Sequence, residues 1–321
     1  MASFTPANVS NPVLGLSGFP GLEKAHQWIG IPIFSAYLFA VLGNCTILYV
    51  IWAEPSLHQP MYFFLAMLAA TDLGLCLTTV PTVMGVLWFQ LRTISKRACV
   101  AQLFIIHSFS FMESAVLFAM AIDRFLAICF PLRYSSLVTS TRVASVGLVL
   151  LLRSTTFLLP PVPFLLQFPY CPGAVLSHSY CLHQDMIRLA CANTTFNSLY
   201  ALILILLTMG SDLLFILISY SLILKAVLGM TSGNEGYHKA LGTCVSHLCA
   251  VLVFYVPVLG LSIVHRFGQH ASPLLHVMMG NIYILLPPLM NPIIYSIKTQ
   301  QIYSRILRMI SALSPFGRKG C

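Results

Sequence analysis

The residues most able to do chemistry lie on one long apolar stretch, residues 99–134. His107, Glu113 and Arg124 interrupt it, and polar side chains inside such a span are costly enough to mark function. On a helix, His107 and Arg124 lie roughly 25 Å apart along the axis, with Glu113 between them. This places an imidazole near one membrane surface, a carboxylate in the middle and an arginine at the other surface. The layout suits a protein that senses on one side and reports on the other. The alternative is that these groups only satisfy one another in a helix bundle.

A second carboxylate, Asp72, lies about 18 Å along the preceding apolar segment, at a depth comparable to that of Glu113. The sequence places no lysine or arginine close to this pair. Two buried carboxylates then either share a proton or bind a cation. We expect a small monovalent cation such as sodium, held by Asp72 and Glu113, and a shared proton is the alternative that the sequence leaves open.

The elements that must position these residues are membrane helices. Of 321 residues, 58% are hydrophobic and only 8% are charged, and the mean hydropathy is +0.87, whereas soluble domains carry roughly 25% charged residues. Apolar runs of about 20 residues span a bilayer, and seven such runs are predicted. They are residues 29–52, 60–88, 99–130, 142–166, 196–228, 238–264 and 272–296. The fold class is an all-α membrane protein, a seven-transmembrane helix bundle with a short amphipathic helix after the seventh span.

The basic residues suggest an orientation for this single seven-transmembrane domain. Lys and Arg are more frequent in the loops that share a side with the C-terminus, which favours an extracellular N-terminus and a cytoplasmic C-terminus in the plasma membrane. Residues 1–28 are then an extracellular tail without the features of a cleavable signal peptide. Residues 29–296 form the bundle, and residues 297–321 an amphipathic helix and cytoplasmic tail. The net charge of +9 reflects residues flanking the membrane and does not indicate nucleic-acid binding.

Cysteines and sequons agree with this topology. Two sequons, at Asn8 and Asn193, fall on the outer side; we expect glycosylation at Asn8, and the sequence leaves Asn193 open. Disulfides persist on that side, and four cysteines there allow three pairings that sequence alone cannot separate. These cysteines are Cys99, Cys171, Cys181 and Cys191.

Other polar residues inside the spans allow competing functions. Asp72, Glu113 and Asp212 could form a cation relay in a channel or transporter, although no inverted repeat of the transporter kind is evident. Arg153, in the fourth span, is expected to snorkel or to bind a backbone carbonyl. Neither metal-ligand spacing nor a nucleophile elbow is found, so we expect no enzyme and, apart from the sodium ion, no cofactor.

Five segments, in order and at the appropriate spans, resemble the motifs of olfactory receptors, a branch of the rhodopsin-like G-protein-coupled receptors. They are PMYFFLAMLAATDL, MAIDRFLAICFPLRY, SHSYCLHQDMIRLAC, KALGTCVSHL and PPLMNPIIYSIK. The resemblance covers about residues 20–310. A long second outer loop and the HRF sequence at the end of the sixth span are similar to the fish-like class I subgroup.

The resemblance implies two disulfides, Cys99–Cys181 and Cys171–Cys191. Asp123 and Arg124 match the family's Asp-Arg-Tyr box, with Phe125 in place of the tyrosine. The pair Asp72 and Glu113 fits the sodium site of class I members. The residues that the resemblance assigns to activation and G-protein coupling are Asp123, Arg124, Tyr220, Lys239, Asn291, Pro292 and Tyr295.

A ligand pocket is implied between the outer halves of spans three, five and six. In class I receptors a cationic residue at the end of the sixth span holds a fatty-acid carboxylate, and Arg266 matches it; a snorkelling arginine is the alternative. The matching pocket positions are His107, Ser262, His183 and Gln184. The expected apolar wall consists of Phe104, Phe111, Leu103 and Leu199.

The function implied is that of an odorant receptor for small volatile organic ligands, with carboxylic acids expected. The implied partners are the odorant, membrane lipid and a stimulatory heterotrimeric G protein of the olfactory type, which raises cyclic AMP. A metabolite sensor outside the nose has the same build, and sequence does not distinguish the two.

Overall fold

Proline and hydroxyl side chains mark where several of the long apolar helices begin. Pro60 occupies the first turn of the second spanning helix, where a missing N–H costs little. The hydroxyls of Ser95 and Thr139 accept hydrogen bonds from the backbone N–H groups of Ala98 and Arg142. These side chains therefore cap the helices that form the third and fourth spans.

The computed structural model describes residues 13–228, 235–267, 272–298 and 300–313. The α-helices of this part of the chain are α1 (His26–Ala53), α2 (Pro60–Trp88), α3 (Lys96–Cys129), α4 (Pro131–Leu137), α5 (Ser140–Thr156), α6 (Val162–Gln167), α7 (His183–Leu189), α8 (Thr195–Ile205), α9 (Ser211–Leu228), α10 (Glu235–Phe267), α11 (Pro273–Lys298) and α12 (Gln300–Leu313). A π-helical turn, Leu206–Gly210, joins α8 and α9 into one span. Short 3-10 turns lie at Glu23–Ala25 and Pro55–Leu57.

The predicted seven-helix bundle is confirmed, with one broken crossing. In the described residues, six helical segments are long and apolar enough to span a membrane. The remaining crossing, the fourth in chain order, contains α5, which reaches the required length only together with α4, at an angle of 69° to it. The single helix predicted over residues 142–166 is wrong, because α5 has 17 residues and ends at Thr156. Pro160 and Pro161 lack the N–H groups that would continue it, and the chain turns before resuming as α6.

A small sheet, absent from the all-α prediction, covers one end of the bundle. Its central strand β1 (Val13–Leu16) pairs antiparallel with β2 (Thr93–Ser95) and parallel with β3 (Val175–Leu176). The sheet joins the segment before α1 to two interhelical loops. We call this end of the bundle, where both disulfides also lie, the disulfide end, and the other end the Arg124 end.

Helix α3 is the most enclosed spanning helix, since 67% of its most apolar stretch is buried, against 22% for α1. Polar groups nonetheless tie the outer helices inward. Asn44 of α1 donates a hydrogen bond of 2.9 Å to the Pro288 carbonyl of α11. That carbonyl lacks its usual helical donor because Pro292 has no N–H. Asn44 therefore ties α1 to α11 at the point where α11 has a free carbonyl.

The amphipathic helix predicted after the seventh span is α12. Arg305 on α12 donates a hydrogen bond of 2.9 Å to Glu54 at the end of α1, which fixes α12 against the Arg124 end. Asn8 and the tail beyond residue 313 lie outside the described residues.

Candidate ligand cavity

A cavity of about 100 Å³ lies at the disulfide end between α3, α6, α8, α10 and α11, with the start of α7 forming its roof. Mostly apolar walls with a few convergent polar groups are typical of small-molecule sites. All of the residues that the sequence analysis assigned to ligand contact line it: Phe104, His107, Phe111, His183, Gln184, Ser262 and Arg266.

Arg266 is the cationic group of the cavity. One of its guanidinium nitrogens, Nη2, is buried without a hydrogen-bond partner, and the ion pairs of the described residues do not include this side chain. A buried donor without an acceptor is energetically costly. An anion inside the cavity would supply the missing acceptor and could accept two parallel bonds from the guanidinium.

Two imidazoles share the polar end of the cavity with Arg266. Both ring nitrogens of His183 and the Nδ1 of His107 are buried without hydrogen-bond partners among the described residues, and the ring centroids lie 6.5 Å apart. Burial, with His107 and Arg266 close by, lowers the pKa of His183 to about 3. His183 is therefore neutral at physiological pH, and the guanidinium of Arg266 remains the fixed positive charge.

Three of the four residues expected to form an apolar wall line the cavity. Leu103, Phe104 and Phe111 on α3 line the cavity. The prediction for Leu199 is wrong, because its side chain is 54% exposed on the outward face of α8. The next residue, Tyr200, lines the cavity instead.

Covalent and hydrogen bonds hold the roof of the cavity in place. The Cys99–Cys181 disulfide, with Cα atoms 5.4 Å apart, joins α3 to the loop before α7. Gln102 of α3 accepts a hydrogen bond of 2.9 Å from the N–H of Cys181. The second disulfide that the resemblance implied, Cys171–Cys191, is also present, within the same loop.

A second arginine of the bundle, Arg153, has a partner that sequence reasoning missed. Arg153 of α5 donates to both carboxylate oxygens of Asp212, each at 3.0 Å. Asp212 also accepts from the Ser114 hydroxyl at 2.9 Å, and Tyr255 bonds the same hydroxyl at 2.7 Å. The expectation that Arg153 snorkels or bonds a carbonyl is therefore wrong. Only the two opposite charges inside spans could have suggested this pair.

Asp72 and Glu113 lie close together in mid-bundle, as their depths predicted. Asn291 of α11 donates from one amide nitrogen to Asp72 at 3.1 Å and to Glu113 at 3.2 Å. The second oxygen of Glu113, Oε2, is buried without a hydrogen-bond partner in the described part of the chain. Hard cations take oxygen ligands, so this donor set fits a cation as well as a shared proton.

At the Arg124 end, the carboxylate of Asp123 accepts hydrogen bonds from two side chains. Arg124 donates to it at 2.5 Å, and the Tyr134 hydroxyl of α4 donates at 2.6 Å. Phe125, which replaces the family's tyrosine in this box, has no hydroxyl to donate. Tyr134 provides one from a different helix.

The remaining residues assigned to activation are spread along the same half of the bundle. Tyr220 bonds the Nδ1 of His247 at 2.8 Å, which joins α9 to α10. Pro292 and Tyr295 are buried on α11, Tyr295 with its hydroxyl 4.0 Å from the sulfur of Met120. Lys239 lies on α10, and its side chain is outside the described part of the structure.

This fold is that of the rhodopsin-like G-protein-coupled receptors. Squid rhodopsin aligns with a TM-score of 0.71 over 95% of this chain and 93% of its own, at 17% identity. Six long apolar helices and a bent pair agree with a multi-pass protein of the plasma membrane.

The sequence comparisons then define the family. The olfactory receptor family model matches residues 33–312. Human olfactory receptor 51V1 is 54% identical over 311 residues, 97% of each chain, and human olfactory receptor 51G2 is 56% identical over 292 residues, 91% of this chain and 92% of that one. The chain belongs to the olfactory receptor family. It is a receptor for small molecules that couples to a G protein, and it is not an enzyme.

Proposed function

We propose that this receptor binds small carboxylic acids through Arg266 and activates a stimulatory G protein of the olfactory type, which raises cyclic AMP. The observation that carries the proposal is the buried, unpartnered Nη2 of Arg266 at the cavity wall. A carboxylate in the cavity would convert this unsatisfied donor into a charge-assisted pair. His107, His183, Gln184 and Ser262 surround the same space and would orient the acid.

The cavity volume supports a restriction on ligand size. At about 100 Å³ it is smaller than the roughly 150 Å³ apolar cavity that accepts benzene in another protein. The tail of the acid would contact the apolar wall formed by Phe104 and Phe111. We expect agonists with roughly two to five carbons, and weaker responses as the chain lengthens.

The signal would travel along α10. Arg266 and Ser262 lie near its disulfide end, and Pro257 interrupts its backbone hydrogen bonding below them. Attraction of Arg266 towards a bound carboxylate would draw this end inward. The opposite end, near Lys239, would then move outward and open a cleft beside Arg124 and Tyr220 for the G protein. The acid shifts this equilibrium only by its differential affinity for the open state.

The same proposal includes the orientation. Both disulfides and β1, near the N-terminus, lie at one end of the bundle, and disulfides persist outside the cell. That end would be extracellular, and glycosylation of Asn8 there is part of the proposal. Arg124, Lys239 and α12 would face the cytoplasm, where a G protein acts.

The test is a series of unbranched acids of increasing chain length, each matched with the primary alcohol of equal carbon number, applied to cells that express the receptor. Cyclic AMP is the readout. We expect each short acid to be at least roughly tenfold more potent than its alcohol, because the charged hydrogen bond contributes about 1.5–3 kcal/mol. Equal potency of acids and alcohols would refute the carboxylate anchor. A survey of transcripts across tissues separates olfaction from metabolite sensing.

We also propose that Asp72 and Glu113 hold an allosteric sodium ion. The free Oε2 of Glu113 and the single amide of Asn291 shared by two carboxylates support it. The ion would supply the positive charge that this buried pair needs. A shared proton is the competing state, and dependence of stability on sodium concentration separates the two.

A further inference from the structure

Three side chains converge at the disulfide end, and one of them, His265, also lines the odorant cavity. They come from separate elements: His178 follows β3, Asp185 lies on α7, and His265 lies on α10. Their ligand atoms all lie within 4.8 Å of one another. The side chains of His178, Asp185 and His265 are 0%, 1% and 6% exposed, respectively.

One side of this cluster is unsatisfied. Asp185 Oδ1 and His265 Nε2 face each other at 3.7 Å, which is too long for a hydrogen bond. Neither atom has a hydrogen-bond partner in the described part of the protein. Two ligand atoms of a tetrahedral zinc ion, each about 2.0–2.2 Å from it, are separated by roughly 3.3–3.6 Å. The gap therefore has nearly the spacing that a shared metal ion imposes.

On the other side of the cluster, a backbone carbonyl orients His178 as outer-shell groups orient the histidines of metal sites. His178 Nδ1 lies 2.6 Å from Asp185 Oδ2, and its Nε2 lies 3.0 Å from the backbone carbonyl of His276. A ligating histidine commonly donates its second ring N–H to a carbonyl, which fixes the tautomer and the ring orientation. Gly280 leaves room for this ring, since a Cβ there would approach within 2.2 Å of His178 Cδ2.

We propose that His178 Nδ1, an oxygen of Asp185 and His265 Nε2 bind one zinc ion. Two imidazole nitrogens and one carboxylate suit zinc better than magnesium or calcium, which prefer oxygen ligands. Zinc takes the place of the proton between His178 and Asp185, and that proton leaves to solvent. The fourth position is open to water.

The ion would connect parts of the receptor that move separately. His178 and Asp185 belong to the loop that forms the roof of the cavity, and His265 precedes Arg266 on α10. Bound zinc would therefore tie the roof to the end of α10 beside the odorant cavity, which makes it an allosteric modulator. This inference does not depend on the identity of the odorant.

The experiment uses the purified full-length receptor in detergent, without odorant, dialysed against zinc chloride. Zinc content and thermal unfolding are both measured. We expect one tightly bound zinc ion per receptor and a higher unfolding temperature with zinc. Asp185→Asn and His265→Ala should each weaken binding by roughly 10- to 100-fold or more. His58→Ala, a control at an exposed histidine of the Arg124 end, should bind as the unchanged protein does.

His265→Cys separates ligation from folding. A thiolate is a good zinc ligand, so this variant should retain zinc, whereas a merely structural role for the imidazole gives no reason for cysteine to succeed where alanine fails. The proposal is overturned if the unchanged receptor binds no zinc, if Asp185→Asn and His265→Ala bind it equally well, or if His265→Cys loses it as His265→Ala does. The experiment does not measure responses to carboxylic acids, so a negative result for zinc leaves the carboxylate proposal intact.

Discussion

Two half-buried arginines of this receptor have opposite surroundings. Arg153 makes two hydrogen bonds to Asp212, whose carboxylate is further bonded by Ser114. Arg266 lines a cavity with a guanidinium nitrogen that has no partner in the described residues. The first arginine is neutralised by the protein itself, whereas the second needs an acceptor from elsewhere. A buried donor atom without a protein partner is therefore the better guide to a ligand site.

The largest expected effect is a loss of stability when the Arg153–Asp212 ion pair is broken. Arg153→Met leaves Asp212 buried without its counter-charge, which costs about 3–5 kcal/mol of stability. We expect little folded receptor at the cell surface and a much lower unfolding temperature of the purified protein. Arg153→Met combined with Asp212→Leu should recover most of the loss, because replacing both charges leaves none uncompensated. A single variant as stable as the unchanged receptor would contradict the comparison.

The matched change at the unsatisfied arginine should affect signalling and not folding. Arg266→Met removes a charged hydrogen bond to the acid worth about 1.5–3 kcal/mol, which is roughly a 10- to 150-fold rise in the EC50 for short acids. Surface expression and the unfolding temperature should stay within the error of the unchanged protein. A collapse of surface expression, as expected for Arg153→Met, would place Arg266 with the structural arginines.

A smaller effect tests the geometry at the same position. Arg266→Lys keeps the positive charge but loses the planar pair of donors that matches a carboxylate. We expect a loss of potency that is smaller than the loss in Arg266→Met, because the charge is kept. Dose–response curves for one short acid in the Arg266, Lys and Met forms check the order. A lysine form as weak as the methionine form would show that charge alone is not what the acid recognises.

The smallest expected effect concerns the buried carboxylates Asp72 and Glu113, whose hydrogen bonds are only partly satisfied. Asp72 and Glu113 share Asn291, and one oxygen of Glu113 is free. If sodium completes this site, sodium at about five times its dissociation constant should stabilise the receptor by about 1 kcal/mol. Unfolding temperatures in sodium and in potassium chloride, at equal ionic strength, measure this. Asp72→Asn should abolish the difference, and no difference in the unchanged receptor would favour the shared proton.

Much of the fold could be predicted because membrane helices are determined by local composition. The predicted spans agree with the helices within a few residues at most ends, since apolar length and flanking polar residues set them. The points at which a helix ends inside a span were harder to predict. The prolines Pro160, Pro161 and Pro163 are typical of a kink or an end, but they do not predict the restart as α6. The strands were missed because two to four residues give no alternating pattern.

Motif resemblance predicted the residues of the candidate cavity, but which of their polar atoms lack a partner is seen only in the structure. The sequence identified Arg266 and its neighbours, but not that one guanidinium nitrogen is unpartnered. The Arg153–Asp212 pair joins residues 59 positions apart, and spacing within one helix says nothing about such contacts. The turn of α8 likewise decided that Tyr200, and not Leu199, faces the cavity. Contacts between elements remain the part that local patterns do not determine.

Asp123 accepts hydrogen bonds from both Arg124 and Tyr134, and this has a consequence for the receptor without a ligand. Each hydrogen bond to a charged group contributes about 1.5–3 kcal/mol. If the silent state makes the Tyr134 contact and the signalling state does not, losing it would change the ratio of the two states roughly 10- to 150-fold. A receptor that must report low ligand concentrations needs a low background of signalling without ligand. On this view, a hydroxyl on the short helix α4 helps to set the lowest ligand concentration that the receptor can report above its own background.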